Sequence, residues 1–169
     1  MPKRKTKQKR IGANEKKLIA SLVRKFKRYS IYRNMKNKRE TEFNKLLFDY
    51  ARQKPRPLQV RNKDIPSPEL VAETFRPEFF LTNAGTKLLC AVECKKLSDH
   101  NAKSRWKEGL SQALIYATVY KAVVLLLLDF TKLGVYADCF GSGKTAENRF
   151  AARLRKVHRI SIVVLAPAD

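Results

Sequence analysis

Ala122 to Phe130 reads Ala-Val-Val-Leu-Leu-Leu-Leu-Asp-Phe, a run of strand length with apolar residues at odd and even positions alike. Side chains alternate between the two sides of a strand, so such a segment has no face suited to water. It belongs in the middle of a sheet covered on both faces, as in α/β proteins. The elements around it must supply those covers.

They are legible as changes of period. Leu18, Ile19, Leu22, Val23 and Phe26 form an apolar stripe on a helix from Glu15 to about Tyr29, with Asn14 as its cap. A second helix runs over about Lys38–Gln53, with Phe43, Leu46, Leu47, Tyr50 and Ala51 on one face, and Pro55-Arg56-Pro57 ends it. The pattern then turns to strands. Leu58–Asn62 is weak, Leu70–Phe75 and Glu78–Thr82 read as one long bent strand, and Lys87–Lys95 is strong. A helix from about Asn101 to Lys121 precedes the apolar strand. Val135–Phe140 is ambiguous, Thr145–Val157 is helical, and Ile160–Leu165 closes the series as a strand.

Charge divides the chain. Of 169 residues, 37 are Lys or Arg and 15 are Asp or Glu, a net charge of +22. Residues 1–56 hold 20 of the basic residues and only 4 of the acids. That excess calls for a polyanionic partner, DNA first and RNA second. We divide the chain into a disordered basic arm (1–12), a basic amphipathic helical extension (13–37) and a main domain (38–169). Phosphate contacts are expected from Lys3, Arg4 and Lys5 in the arm, and from Arg24, Lys25, Arg28, Arg33 and Lys36 behind it. Cys90, Cys94 and Cys139 have neither disulfide nor zinc-ligand spacing, which points to a reducing, intracellular (cytoplasmic) setting. No apolar run reaches the ~18–20 residues of a membrane span, and no secretory signal is visible.

The segment richest in chemistry is the hairpin Arg76–Lys95, with its turn at Asn83-Ala84-Gly85-Thr86. Glu is depleted in strands, yet Glu78 and Glu93 stand on the two arms of this one. Glu93 and Lys95 share a face and Cys94 points the other way. Two facing carboxylates repel unless a cation lies between them. With a backbone carbonyl they offer the oxygen ligands that Mg²⁺ or Mn²⁺ prefers, so Glu78, Glu93 and the carbonyl of Cys94 are the candidate metal ligands.

Pro77-Glu78 followed by Glu93-Cys94-Lys95 resembles the PD-(D/E)XK nuclease superfamily, with Glu78 in place of the usual Asp. Gln112-Ala113-Leu114-Ile115-Tyr116 resembles the Gln-x-x-x-Tyr motif of its RecB-like branch. The resemblance extends to Mrr-like nucleases and Holliday-junction resolvases. It implies a restriction endonuclease-like αβββαβ core, a central mixed sheet flanked by helices, with the basic helical extension added in front. It also implies hydrolysis of DNA phosphodiesters. Lys95 would orient or deprotonate the attacking water with a lowered pKa, and Gln112 would reach the site or the substrate backbone while Tyr116 supports the helix. Family members add a glutamate from the first core helix. Glu40 and Glu42 compete for that place, and Glu40 is favoured because it shares a face with Phe43 and Leu47. Lys96 points away and reads as solvated or DNA-contacting.

Nearly all of the chain past residue 38 is consumed by this core, so cutting would be structure-dependent or weakly sequence-specific, on branched, single-stranded or duplex DNA. A resolvase would be a homodimer. The stripe of the 15–29 helix could serve that interface or pack on its own sheet. The alternative function is a non-catalytic DNA- or RNA-binding protein that keeps the fold. Gly141-Ser142-Gly143-Lys144-Thr145 lacks the first glycine of a phosphate-binding loop, since Asp138 stands there. His100 and His158 have no nucleophile beside them in the pattern.

Overall fold

The structure, a computed structural model, describes residues 12–53, 58–61, 69–70, 73–83, 88–141 and 144–168. Its elements in chain order are α1 (Ala13–Lys27), β1 (Ile31–Tyr32), a 3-10 turn (Arg33–Asn37), α2 (Glu40–Arg52), β2 (Leu58–Arg61), β3 (Glu69–Leu70), β4 (Glu73–Thr74) and β5 (Phe79–Asn83). Then follow β6 (Leu88–Leu97), α3 (Ala102–Val119), β7 (Ala122–Asp129), α4 (Val135–Gly141), α5 (Ala146–Val157), β8 (Ile160–Leu165) and β9 (Pro167–Ala168).

The molecule is mixed α/β. Five strands form one mixed sheet in the order β2-β5-β6-β7-β8, antiparallel from β2 to β6 and parallel from β6 to β8. Every residue of β7 is buried. The strand sits between β6 and β8, and its side chains divide between two cores. Val124, Leu126 and Leu128 meet α1 and α2 through Leu22, Phe26, Phe43 and Leu47. Val123, Leu125 and Leu127 meet α3 and α5 through Ala113, Tyr116 and Leu154. Fully burying one such side chain contributes about 1.5–3 kcal/mol, so the two covers account for the apolar run.

Several expectations are corrected. Gly12, not Asn14, stands at the N-cap of α1, because its N–H reaches the Glu15 carboxylate at 3.0 Å and the helix starts two residues earlier. Of the two uses open to the stripe on α1, the structure shows packing on the chain's own sheet, with Leu22 and Phe26 buried. The bent strand is two things: β3 and β4 pair with each other, and β5 begins at Phe79 after a break at Phe75–Glu78. Val135–Gly141 is helical despite its strand-like residues. The buried carboxylate of Asp129 holds its start, accepting from the N–H groups of Tyr136 at 2.9 Å and Ala137 at 3.0 Å. β6 runs two residues beyond Lys95, since Lys96 and Leu97 go on pairing with Leu128 and Asp129 of β7. The arm with Lys3, Arg4 and Lys5, the turn at 84–86 and Pro55-Arg56-Pro57 lie outside the described residues, as do Ser142 and Gly143.

Candidate active site

Alternation along β6 separates its side chains cleanly. Cys90, Val92 and Cys94 enter the core under α1 and α2, whereas Ala91 and Leu97 enter the core under α3. Glu93 and Lys95 lie on the α3 side with Ala91 and Leu97 by the same parity. The β5–β6 ladder pairs Phe79 with Val92 and Phe80 with Ala91, so the same register carried one residue further sets Glu78 abreast of Glu93. Glu78 itself lies in the bend that precedes β5.

Glu93 is 1 % exposed and Lys95 3 %. Glu93 Oε1 lies 2.8 Å from Lys95 Nζ, which also meets Glu108 Oε1 at 3.0 Å. Glu108 pairs in turn with Arg105, and Arg105 with Glu40. The other oxygen of Glu40 accepts from the backbone N–H of Lys96 at 2.8 Å. An unbroken chain of ion pairs thus runs from β6 through α3 to the start of α2, at the carboxyl end of β6. Glu42 faces elsewhere, accepting from the Arg39 N–H at 2.7 Å and lying 3.7 Å from Lys38.

Four carboxylates (Glu40, Glu78, Glu93 and Glu108) therefore surround two cations, Lys95 and Arg105. Titration follows from that balance. Burial raises the Glu93 pKa to about 7, opposed by Lys95 and reinforced by Glu78. Burial also raises Glu78, and Glu40 adds to it while Lys95 and Arg105 pull the other way. For Lys95, burial alone would lower the pKa, but Glu93, Glu108 and Glu40 outweigh it and raise the value. The lowered lysine pKa expected from sequence is thereby corrected: its neighbours are anions, and they hold it as an ammonium.

Polar satisfaction is incomplete around Glu93, as it also is at Asn44 Oδ1 of α2. Among the described residues, Glu93 Oε2, Gln112 Oε1 and Tyr116 Oη are buried without a hydrogen-bond partner. Burial and then the nearby Glu93 charge raise the Tyr116 pKa, so its hydroxyl lies beside that carboxylate. Leaving a buried acceptor unpaired costs about 1–3 kcal/mol, more when it is charged. A cation beside Glu93 would remove that cost. Among the described residues no three His, Cys, Asp or Glu side chains converge closely enough to hold a metal unaided. The donor set that fits is two carboxylates, Glu78 and Glu93, with a carbonyl such as that of Cys94, and water or substrate oxygens completing the shell. The Cys94 thiol is fully buried on the opposite face.

Sequence reasoning missed Arg105 and Glu108. The signal was there, because Arg105, Glu108, Gln112 and Tyr116 follow one another at i+3, i+4 and i+4 and so form one stripe of α3. Gly109 lets that stripe approach the sheet: a Cβ there would lie 2.8 Å from Lys95 Cγ and 3.1 Å from Leu125 Cδ1.

Lys96 is not a free surface lysine. Its ammonium bonds the carbonyl oxygens of Lys36 and Lys38, the latter at 2.6 Å, and lies 5.7 Å from the centre of the Phe130 ring. It thus secures the backbone leading into Glu40. Lys25 is likewise engaged, donating to the Ala51 carbonyl at 3.0 Å and lying over the Tyr50 ring. Arg24, Arg28, Arg33 and Lys36 present exposed side chains. No helix of the described residues is long and apolar enough to cross a membrane. Compared with known proteins, the chain matches no family model, no curated protein and no solved structure.

Proposed function

We propose that this chain is a divalent-metal-dependent nuclease of the restriction endonuclease-like kind, hydrolysing phosphodiester bonds in DNA. The observation that carries the reading is Glu93, a buried carboxylate with one oxygen on Lys95 and the other without a partner. Glu78 and Glu40 bring further negative charge to the same place. A chain of net charge +22 that gathers carboxylates around one buried glutamate has a use for a cation there. The order α2, β2, β5, β6, α3, β7 supports the αβββαβ reading, with β3 and β4 as a small insertion.

In this mechanism Glu78, Glu93 and the Cys94 carbonyl would hold the metal. Bound Mg²⁺ or Mn²⁺ supplies positive charge for the developing oxyanions and acidifies water for attack. Lys95, kept protonated by its carboxylate neighbours, offsets charge on the attacked phosphate and orients the water rather than removing a proton. Glu40, fixed by the Lys96 N–H and by Arg105, would add its carboxylate to the positioning of water at this end of β6. Tyr116, whose hydroxyl lies beside the Glu93 carboxylate, supports its position, and Gln112 stands one turn away on the same stripe of α3. The exposed basic residues Arg24, Arg28, Arg33 and Lys36 draw in the phosphate backbone.

The test is cleavage of a panel of duplex, single-stranded, flap and four-way-junction DNA and of RNA, in Mg²⁺, Mn²⁺ or EDTA, beside Lys95→Ala. Metal-dependent cutting that disappears in the variant is expected, and cutting that survives it would refute the assignment. A second reading, a binding protein that retains the fold, draws support from the near-complete burial of Glu93 and Lys95. It predicts salt-sensitive binding with no cutting of any substrate.

A further inference from the structure

Glu108 occupies an unusual seat. One carboxylate oxygen lies 3.0 Å from Lys95 Nζ and the other is bonded to Arg105 Nη1, so a single anion bridges an ammonium and a guanidinium. Its side chain is 41 % exposed, whereas that of Lys95 is 4 %. Glu108 is thus the solvent-facing partner of a buried ammonium, whose other carboxylate partner, Glu93, keeps its Oε2 buried without a hydrogen-bond partner. A phosphodiester, like a carboxylate, carries one negative charge spread over two terminal oxygens, and it accepts from the same pair of donors. Exchanging one for the other leaves the charge of the cluster unchanged.

We infer that Lys95 and Arg105 together form the seat of the scissile phosphodiester, and that Glu108 fills this seat in the free protein as an internal stand-in for the substrate. The inference rests on the proposed nuclease reading and assigns its phosphate contacts. DNA then binds by displacing Glu108 outward into solvent. Arg105 becomes a substrate-binding residue and Glu108 a competitor that lowers affinity for any backbone that does not press home. The near-closure of the site in the free chain follows directly.

The experiment is a double-mutant cycle on binding of a short DNA duplex in EDTA, where no turnover occurs. Glu108→Gln keeps the shape and removes the competing charge. It is expected to bind about fivefold tighter, while Glu147→Gln, the same charge change at an exposed position of α5, stays within about twofold. The gain should vanish when Arg105→Gln or Lys95→Gln is added, and the arginine variant serves if loss of the buried lysine prevents folding. A gain equalled by Glu147→Gln, absent from Glu108→Gln, or surviving both second substitutions would overturn the seat. Because the cycle reads binding alone, its failure would leave metal-dependent cleavage standing, and a chain that passed it without ever cutting would lose only the hydrolytic reading.

Discussion

Glu93 and Asp129 are both buried acids, and their surroundings treat them differently. Asp129 accepts four hydrogen bonds, from the N–H and hydroxyl of Thr131 on one oxygen and from the N–H groups of Tyr136 and Ala137 on the other. That is a structural carboxylate, tying the end of β7 to the start of α4. Glu93 has Lys95 on one oxygen and no partner among the described residues on the other. Its pKa near 7 makes metal-free stability depend on pH with a definite sign. Between the ordinary glutamate value of 4.5 and about 7 the folded state binds the proton more tightly than the unfolded chain. Stability in EDTA therefore falls as pH rises through that window, by at most about 3 kcal/mol from this residue. Denaturant titrations at pH 5, near the lower end of the window, and at about pH 7.5, just above it, should show this fall in the wild type and a smaller one in Glu93→Gln. Equal slopes would mean that Glu93 ionises as an ordinary carboxylate.

At the scale of elements, the site depends on how closely α3 approaches β6. Gly109 sits where a methyl group would collide with Lys95 Cγ. Helix propensity alone favours Ala over Gly by roughly 0.5–1 kcal/mol in a helix interior. Overpacking against a buried side chain costs about 1–3 kcal/mol. Gly109→Ala is thus predicted to destabilise the protein and to lower cleavage, because Lys95 must shift, and a raised melting temperature with full activity would contradict this. The same comparison shows what a sequence can reveal. β7 and β8 are legible because their apolar runs admit one environment. The far end of β6 is not, since Lys96 and Leu97 are strand only through pairing with β7. α4 is hidden by its valine, tyrosine and phenylalanine, which suit a strand until the Asp129 carboxylate, seven and eight residues upstream of the N–H groups it accepts from, holds the helix start. Glu78, Glu93 and Lys95 stood out as charges on apolar strands. Glu108 and Arg105 did not, because charged residues on a helix are the ordinary state of an exposed face until tertiary packing turns them inward.

For the whole molecule, charge is distributed by task. Residues 1–12 carry six Lys or Arg and no acid. If that arm follows the DNA backbone, its removal reduces the dependence of log K on log salt by as much as about 5 without changing the rate of bound-substrate cleavage. An unchanged slope would place the footprint on the exposed cations of α1 and the 3-10 turn instead. Against this cationic background, four of the 15 acids gather around β6, and the account holds that they do so to receive a divalent cation. Thermal unfolding at pH 7.5 in millimolar Mn²⁺ and in EDTA, for the wild type and Glu93→Gln, reads this most directly, since a ligand that binds the folded state alone raises its melting temperature (by a few degrees at about ten times the dissociation constant). Mn²⁺ is expected to stabilise the wild type and to leave Glu93→Gln unmoved. Equal shifts in both proteins, or none in either, would contradict it.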